Sequence, residues 1–261
     1  VVAGTRLEFE CIDAARSDLP TILMLHEGLG SVAMWRDFPA QLAATTGARI
    51  VLYSRCGYGR SEPLRRPRSV RYMHEEALQV LPELLDALSI SRPVLLGHSD
   101  GASIALIHAG GSGRKVAGVV ALAPHVLVED ISVSSIAAAR EAYRTTDLRK
   151  RLARYHHEVD GAFWGWNDIW LDPAFRSWNI EEFLPRIDCP ILAIQGRQDE
   201  YGTLEQIDRI ARRAPHVELL KLDRCRHSPH RDQPAAVIEC VSLWLTSASQ
   251  AAGAGPRHEA S

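Results

Sequence analysis

Pro93-Val94-Leu95-Leu96-Gly97-His98-Ser99-Asp100-Gly101-Ala102-Ser103-Ile104-Ala105-Leu106-Ile107 carries the deciding pattern of the chain. A short apolar run ends in a glycine, a serine comes two residues later, a second glycine comes two after that, and an apolar segment of helical character begins at once. Glycines on either side let the backbone turn sharply from strand to helix and let the helix pack close, so the serine hydroxyl stands exposed at the apex. Such a turn holds its serine in a strained conformation that costs about 1 to 3 kcal/mol and survives only where the surrounding fold enforces it. A bare G-x-S-x-G arises by chance in many chains. The buried strand before it and the helix after it separate this one from an ordinary glycine-rich loop, and Ser99 is read as a nucleophile.

The same alternation extends outward from this turn. Residues 21–25, 49–53, 94–96, 116–122 and 190–194 are short and apolar throughout, as parallel strands covered on both faces by helices are. Residues 7–12 are expected to add an antiparallel edge strand and 217–222 the last strand. Apolar positions at three- and four-residue spacing predict helices over 75–88, 101–109, 204–213 and 234–245. Pro82 would kink the first of these or confine it to the part after the proline. The expected fold class is therefore α/β, a mostly parallel twisted sheet flanked by helices.

Between His125 and Arg186 the alternation stops and the chain turns helical and aromatic, with Phe163, Trp164, Trp166, Trp170, Phe175, Trp178 and Phe183. This stretch predicts an inserted helical cap over the carboxyl ends of the strands, where open α/β sheets place their sites, or else a helical pair that merely covers the sheet. The expected organisation is a core of 1–125 and 187–247, a cap of 126–186 and a disordered tail of 248–261. Trp164, Trp166, Trp170 and Trp178 are candidates to line a dry pocket, with some of them serving only as cap core.

The chain has 261 residues, 46% hydrophobic and 24% charged, which suits one large soluble domain or one domain with an insertion. A net charge of -2 supplies no global field to gather nucleic acid or an anionic membrane. Arg65-Arg66-Pro67-Arg68 with Arg71 is a local basic cluster, read as a solvated loop or as a seat for a phosphate or coenzyme A tail. The five cysteines are scattered without a C-x-x-C pair, which argues against a disulfide framework or a structural zinc. No apolar segment follows a basic amino-terminal stretch, and no run approaches the roughly 18 apolar residues of a membrane span. A cytoplasmic protein is expected, although a chain beginning at Val1 leaves a removed leader open.

An unactivated serine hydroxyl needs a histidine to take its proton and an acid to orient that histidine. Asp199 in Gln195-Gly196-Arg197-Gln198-Asp199-Glu200 follows one predicted strand, and His227 in Cys225-Arg226-His227-Ser228-Pro229-His230 follows the last. Glu200 and Asp223 compete with Asp199 for the acid, and His230 competes with His227 for the base. A zinc reading of Cys225, His227 and His230 lacks a fourth ligand. The chain order Ser, Asp, His is that of α/β-hydrolases.

With His26-Glu27-Gly28-Leu29-Gly30-Ser31, the Ser99 turn, the Asp199 loop and the His227 loop in this order, the chain resembles the α/β-hydrolase superfamily. The resemblance is to the branch of carboxylesterases, meta-cleavage-product hydrolases and enol-lactonases. It spans residues 7–245, and the 126–186 insertion corresponds to the family's variable cap. It implies that Ser99, Asp199 and His227 are catalytic and that the amides of Gly28 and Asp100 form the oxyanion hole, with Leu29 as the substitute for Gly28. Losing one such donor typically costs about 2.7 to 4 kcal/mol. The first motif commonly reads His-Gly, and Glu27 stands in the glycine's place, either positioning water or simply accepting a hydrogen bond. His26 is read as an anchor of its loop. The Asp100 carboxylate either complements the helix dipole or faces the substrate to attract a cationic group.

The implied reaction is hydrolysis of a small carboxylic ester or lactone through an acyl-enzyme, the substrate apolar or aromatic and bound near Leu29, Trp164, Trp166 and Trp170. An acyl-CoA thioester or a carbon–carbon bond of a vinylogous diketone are the alternatives within hydrolysis. A slow-turnover ligand receptor on the same fold is the alternative of another class. None of these reactions needs a metal or an organic cofactor, and no dinucleotide or phosphate loop is present in the sequence. The expected partner is a small molecule, with a homodimer left open.

Overall fold

The computed structural model describes residues 1–253, with side chains described for 1–247. Seven strands form one sheet in the order β1-β3-β2-β4-β5-β6-β7. They are β1 (Glu8–Ile12), β2 (Ile22–Leu25), β3 (Ile50–Ser54), β4 (Val94–His98), β5 (Gly118–Leu122), β6 (Ile191–Gly196) and β7 (Val217–Leu222). β1 pairs antiparallel with β3 at the edge, and every other neighbouring pair is parallel. The five strands from β2 to β6 are buried along their whole length, which is why their sequences are apolar at both parities.

Successive side chains of a strand point to opposite faces, and here each parity feeds a separate core. Leu23, Leu25, Val51, Tyr53, Leu95 and Val119 face the side covered by α3 (Leu81–Ala87), α4 (Asp100–Gly111) and α8 (Glu205–Arg213). Ile22, Met24, Ile50, Leu52, Leu96 and Val120 face the side covered by α1 (Phe38–Thr46) and α10 (Pro234–Gly253). Each fully buried Leu, Ile or Val contributes about 1.5 to 3 kcal/mol, so the two layers are the bulk of the fold's stabilisation.

Three local features depart from the expected pattern. α1 was not marked by periodicity, yet Pro39 occupies its first turn and Gly47 closes it at φ 74. The stretch around Pro82 is not a single helix. α2 (Tyr72–Glu75) passes into a π-helical turn over Glu76–Val80 and then into α3, where Pro82 lies in the first turn. The wider turn accommodates a residue without an N–H where an unbroken α-helix would lose a bond. α10 runs on to Gly253, beyond the helix end expected at 245, and the rest of the expected tail, 254–261, lies outside the described residues.

Between β5 and β6 the chain forms α5 (Asp130–Thr145), α6 (Leu148–Leu152) and α7 (Val159–Trp170), followed by short 3-10 turns at Pro173–Ser177 and Glu181–Arg186. Tyr143 of α5 stacks on Phe163 of α7 with ring centroids 3.7 Å apart. Asn167 donates to the Ile136 carbonyl at 2.9 Å and accepts from Arg140 at 2.7 Å, locking the two helices side by side. Residues 181–186 pack instead on α4, where a side chain at Gly110 would lie 2.3 Å from the Phe183 carbonyl oxygen. Among the described residues no helix is long and apolar enough to cross a membrane.

Candidate active site

Ser99 sits between β4 and α4 at φ 53 and ψ -119, in the left-handed half of backbone space that a side chain rarely adopts. The flanking glycines are required by contact: a Cβ at Gly101 would lie 2.0 Å from the Leu25 carbonyl oxygen, and one at Gly97 2.3 Å from that of Gly101. The turn aims the hydroxyl at His227, whose Nε2 is 3.0 Å from Ser99 Oγ. On the far side of the ring, His227 Nδ1 lies 2.8 and 3.0 Å from the two carboxylate oxygens of Asp199. An acceptor-only carboxylate there requires Nδ1 to carry the proton, which leaves the Nε2 lone pair for the serine hydroxyl.

Asp199 is fixed on the loop after β6 by the Tyr201 amide at 2.8 Å and the Gln195 side-chain amide at 3.1 Å. Burial pushes its carboxyl up, but His227 and the Tyr201 N–H outweigh that and hold it below its ordinary range. Burial likewise pulls the His227 imidazole down, and the Asp199 carboxylate more than offsets it, so the net shift is upward. The competing groups are engaged elsewhere. Glu200 accepts from the His227 main-chain N–H at 3.2 Å, and Asp223 pairs with Arg197 at 3.0 Å. His230 is buried against Trp35 and Phe38, and neither of its ring nitrogens makes a hydrogen bond to Ser99.

A cavity of about 110 Å³ opens on Ser99 and is walled by Gly28, Leu29, Ile136, Trp166, Trp170 and Tyr201. Gly28 packs against the cap: a Cβ there would lie 2.2 Å from the Trp166 indole nitrogen. Asp100 is the first residue of α4, where an amide has no carbonyl to bond within the helix. Trp164 does not reach the cavity. Its ring stands edge-on to Phe163 and Tyr143 at 5.0 and 5.5 Å, with the Arg144 guanidinium 5.4 Å from its centre, because it projects from the outer side of α7. Trp178 is likewise absent from the wall, stacked on Phe175 at 5.4 Å.

Both ring nitrogens of His26 bind main chain, one to the Glu27 carbonyl at 2.7 Å and the other accepting the Arg55 amide at 3.0 Å, so this histidine anchors its loop. The buried Arg55 guanidinium donates to the carbonyls of His26 and Glu27 and lies 4.0 Å from Asp100. The same Asp100 oxygen, Oδ2, accepts the Tyr72 hydroxyl at 2.5 Å, and Trp170 of α7 donates to that hydroxyl at 3.1 Å. Burial raises the Asp100 carboxyl, with Arg55 and Tyr72 acting against it. Of the basic cluster, Arg68 folds inward onto the Cys56 carbonyl and over the Tyr58 ring, and Arg65 pairs with Glu62.

Residues that sequence patterning did not single out complete the site. His125, at the carboxyl end of β5, lies in the cavity wall with its ring 5.0 Å from Trp170 and 5.8 Å from His227. Burial, reinforced by His227, pushes its pKa down to about 3 and keeps it neutral. Tyr201 covers the His227 ring at 4.7 Å. Their positions just past β5 and β6 were the available signal, since loops at strand carboxyl ends build such sites. Among the described residues no group of three His, Cys, Asp or Glu side chains is placed to hold a metal ion.

The same fold recurs in solved structures. Over 97% of this chain and 98% of the other, the proline iminopeptidase of Mycobacterium smegmatis superposes with a TM-score of 0.76 at 17% identity. The enol-lactonase of Burkholderia xenovorans does so over 94% and 98% with a TM-score of 0.74 at 20% identity. In sequence, the chain is 25% identical to a proline iminopeptidase of Levilactobacillus brevis over 91% of this chain and 92% of the relative. Residues 22–239, from β2 through the serine turn and both partner loops into α10, match the family model described as alpha/beta hydrolase family, and the chain belongs to that family.

Proposed function

We propose that the protein is a serine hydrolase that cleaves a small carboxylic ester or lactone through an acyl-enzyme. The reading rests on one observation above others, the line from Ser99 Oγ through His227 to Asp199 at 3.0 and 2.8 Å. In this reading His227 Nε2 takes the Ser99 proton as Oγ attacks the carbonyl carbon, and the amides of Gly28 and Asp100 receive the developing oxyanion. His227 then gives the proton to the leaving oxygen and activates the water that frees the acid. Asp199 keeps the imidazole in the tautomer that accepts at Nε2. Trp166, Trp170, Ile136 and Leu29 supply the apolar wall for the acyl group.

Cavity size bounds the substrate. An apolar cavity of about 150 Å³ holds a benzene ring, and this one is about 110 Å³, so a short aliphatic acyl group fits with the cap in place. Acetyl and butyryl p-nitrophenyl esters are expected to turn over repeatedly. Ser99→Ala is expected to lower kcat by about 10⁴-fold or more. Wild-type activity in Ser99→Ala would refute the assignment, and a single burst followed by tight retention of product would favour a receptor.

A second reading is supported by the relative from Levilactobacillus brevis, matched over nearly its whole length: hydrolysis of an amide after an amino-terminal proline. The cavity wall holds no lysine or arginine that would repel the free amine of such a substrate. Faster cleavage of proline p-nitroanilide than of the acetyl and butyryl esters would select it.

A further inference from the structure

Glu27 replaces the glycine usual beside the oxyanion loop, and its carboxylate is not idle. One oxygen lies 3.5 Å from His98 Nδ1, the other 3.3 Å from Arg231 on α9 (Pro229–Asp232), the short helix that follows His227. His98 immediately precedes Ser99 and is buried. Its Nε2 lies 2.7 Å from the main-chain carbonyl oxygen of His227. Arg231 in turn donates to the Met34 carbonyl at 2.9 Å. The carboxylate therefore touches the elements that bear the oxyanion loop, the nucleophile and the general base.

We infer that Glu27 is a positioning residue: through His98 it holds the main chain of His227, as Asp199 holds its ring. The inference rests on the serine-hydrolase reading proposed above.

The tautomers leave little freedom. Facing a carbonyl, His98 Nε2 must donate and so carries hydrogen. Its Nδ1 faces Glu27 Oε2 at 3.5 Å, so the ring spans the distance from that carboxylate to the His227 carbonyl. Arg231 on the second oxygen favours the ionised carboxylate. Burial pushes the Glu27 carboxyl up, and His98 and Arg231 outweigh it, holding the group well below its ordinary range. Space for the carboxylate is made by Gly30, where a Cβ would lie 2.3 Å from Glu27 Oε2.

Glu27 also acts on His227 through space. The charged and titratable groups around that ring are Asp199, Glu200 and Tyr201 from the β6 loop, His125 from β5, His98 beside the nucleophile, His230 and Arg231 from α9, and Glu27. Glu27, like Asp199 and Glu200, favours the protonated ring. Removing its charge therefore lowers the pH at which His227 becomes available as a base.

The test is the pH dependence of Ser99 acylation by a fluorophosphonate, with kcat and KM for p-nitrophenyl acetate, in wild type, Ser99→Ala, Glu27→Ala and Glu27→Gln. Glu27→Ala is expected to lower kcat and the labelling rate by about ten- to hundredfold with little change in KM, since a small misplacement of a reacting group costs that much. Its acid limb should move to lower pH. In Glu27→Gln the amide N–H can donate to His98 Nδ1, so most of kcat should return while the acid limb stays low. A Glu27→Ala protein with wild-type rates and an unmoved limb would overturn the inference alone. So would a Glu27→Gln protein no faster than Glu27→Ala. Should Glu27→Ala fail to fold by circular dichroism, Glu27→Gln decides by itself, and an unmoved acid limb overturns the idea. Labelling of Ser99→Ala at the wild-type rate would instead overturn the serine reading and this inference with it.

Discussion

Two clusters of buried polar groups flank Ser99, and they are made of different chemistry. On the His227 side lie imidazoles, His227 with His98, His125 and His230 at ring separations of 4.7 to 5.8 Å. On the Asp100 side lie a guanidinium, two carboxylates and two phenols: Arg55, Asp100, Glu76, Tyr72 and Tyr53, joined by the Tyr72–Asp100 bond at 2.5 Å and the Tyr53–Glu76 bond at 2.7 Å. Imidazoles exchange protons near neutral pH, whereas guanidinium stays charged and phenols pushed upward by burial stay neutral. The fold thus places one movable proton, on the His227 ring beside the burial-depressed His125 and His230, on one side of Ser99 and fixed charge on the other. The fixed side ties the His26–Glu27 loop, α4 and Trp170 together.

The largest expected effect lies on the movable side. Asp199→Asn offers His227 Nδ1 an amide that can stabilise the wrong tautomer, and kcat for p-nitrophenyl acetate should fall by about 10⁴-fold. The thermal midpoint should change far less than the rate, which is the sign of a cluster that works by proton position. Retention of more than a tenth of the wild-type kcat would remove Asp199 as the orienting acid.

On the fixed side the order of effects reverses. Arg55→Met leaves Asp100 and Glu76 buried without their shared cation and frees the carbonyls of His26 and Glu27, so urea denaturation should show a loss of about 3 to 5 kcal/mol. Activity per folded molecule should drop less than in Asp199→Asn. A double change of Arg55→Met with Asp100→Asn should cost less than the sum of the two, since the second removes the charge the first strands. Additivity would mean that the two groups, 4.0 Å apart, do not act as a pair.

Acidification sharpens the contrast because it acts on imidazoles. Burial holds His26, His125 and His230 below their ordinary range, His125 at about 3. In the unfolded chain they would take up protons below about pH 6.5, so their contribution to stability is complete above that pH and is lost as pH falls toward the folded values. Each adds a slope of about 1 kcal/mol per pH unit in that window. His227, shifted upward, has the opposite sign: it stabilises below about pH 6.5, and this is lost as pH rises through its folded value. Stability that stays flat between pH 6.5 and 5 would show that water reaches these rings.

The two sides also differed in how far they could be read from the chain. Ser99, Asp199 and His227 sit in strand-end loops bracketed by glycine or by apolar runs, and each is displaced from its strand by a fixed, short distance. Arg55 also follows a strand immediately, yet nothing in Tyr53-Ser54-Arg55-Cys56 indicates that the guanidinium turns inward, because its partners Asp100 and Glu76 come from distant segments. The strands themselves were legible to within one or two residues at most ends because burial on both faces leaves an unbroken apolar run. α1 has only Phe38, Leu42 and Ala43 as a weak apolar stripe, and its position is set by packing on α10. The aromatic residues of α7 showed their grouping but not their direction, since Trp166 and Trp170, four apart, share one face and Trp164 lies on another, and only tertiary contact decides which face meets the site.

That ambiguity sets the smallest effect and the finest test. Trp164 and Trp166 are two residues apart, so they project about 200° apart around α7. Trp166 meets Gly28 and the cavity, and Trp164 meets Tyr143, Phe163 and Arg144. Trp164→Ala removes edge-on aromatic contacts of about 0.5 to 1.5 kcal/mol each and should lower the thermal midpoint by a few degrees while kcat/KM stays within about twofold. Trp166→Ala should change kcat/KM for butyryl against acetyl ester, since it enlarges the acyl wall. If Trp164→Ala altered that ratio as much as Trp166→Ala did, the cap would have to reorganise around the substrate, and the division between an outer and an inner face of α7 would not describe the working enzyme.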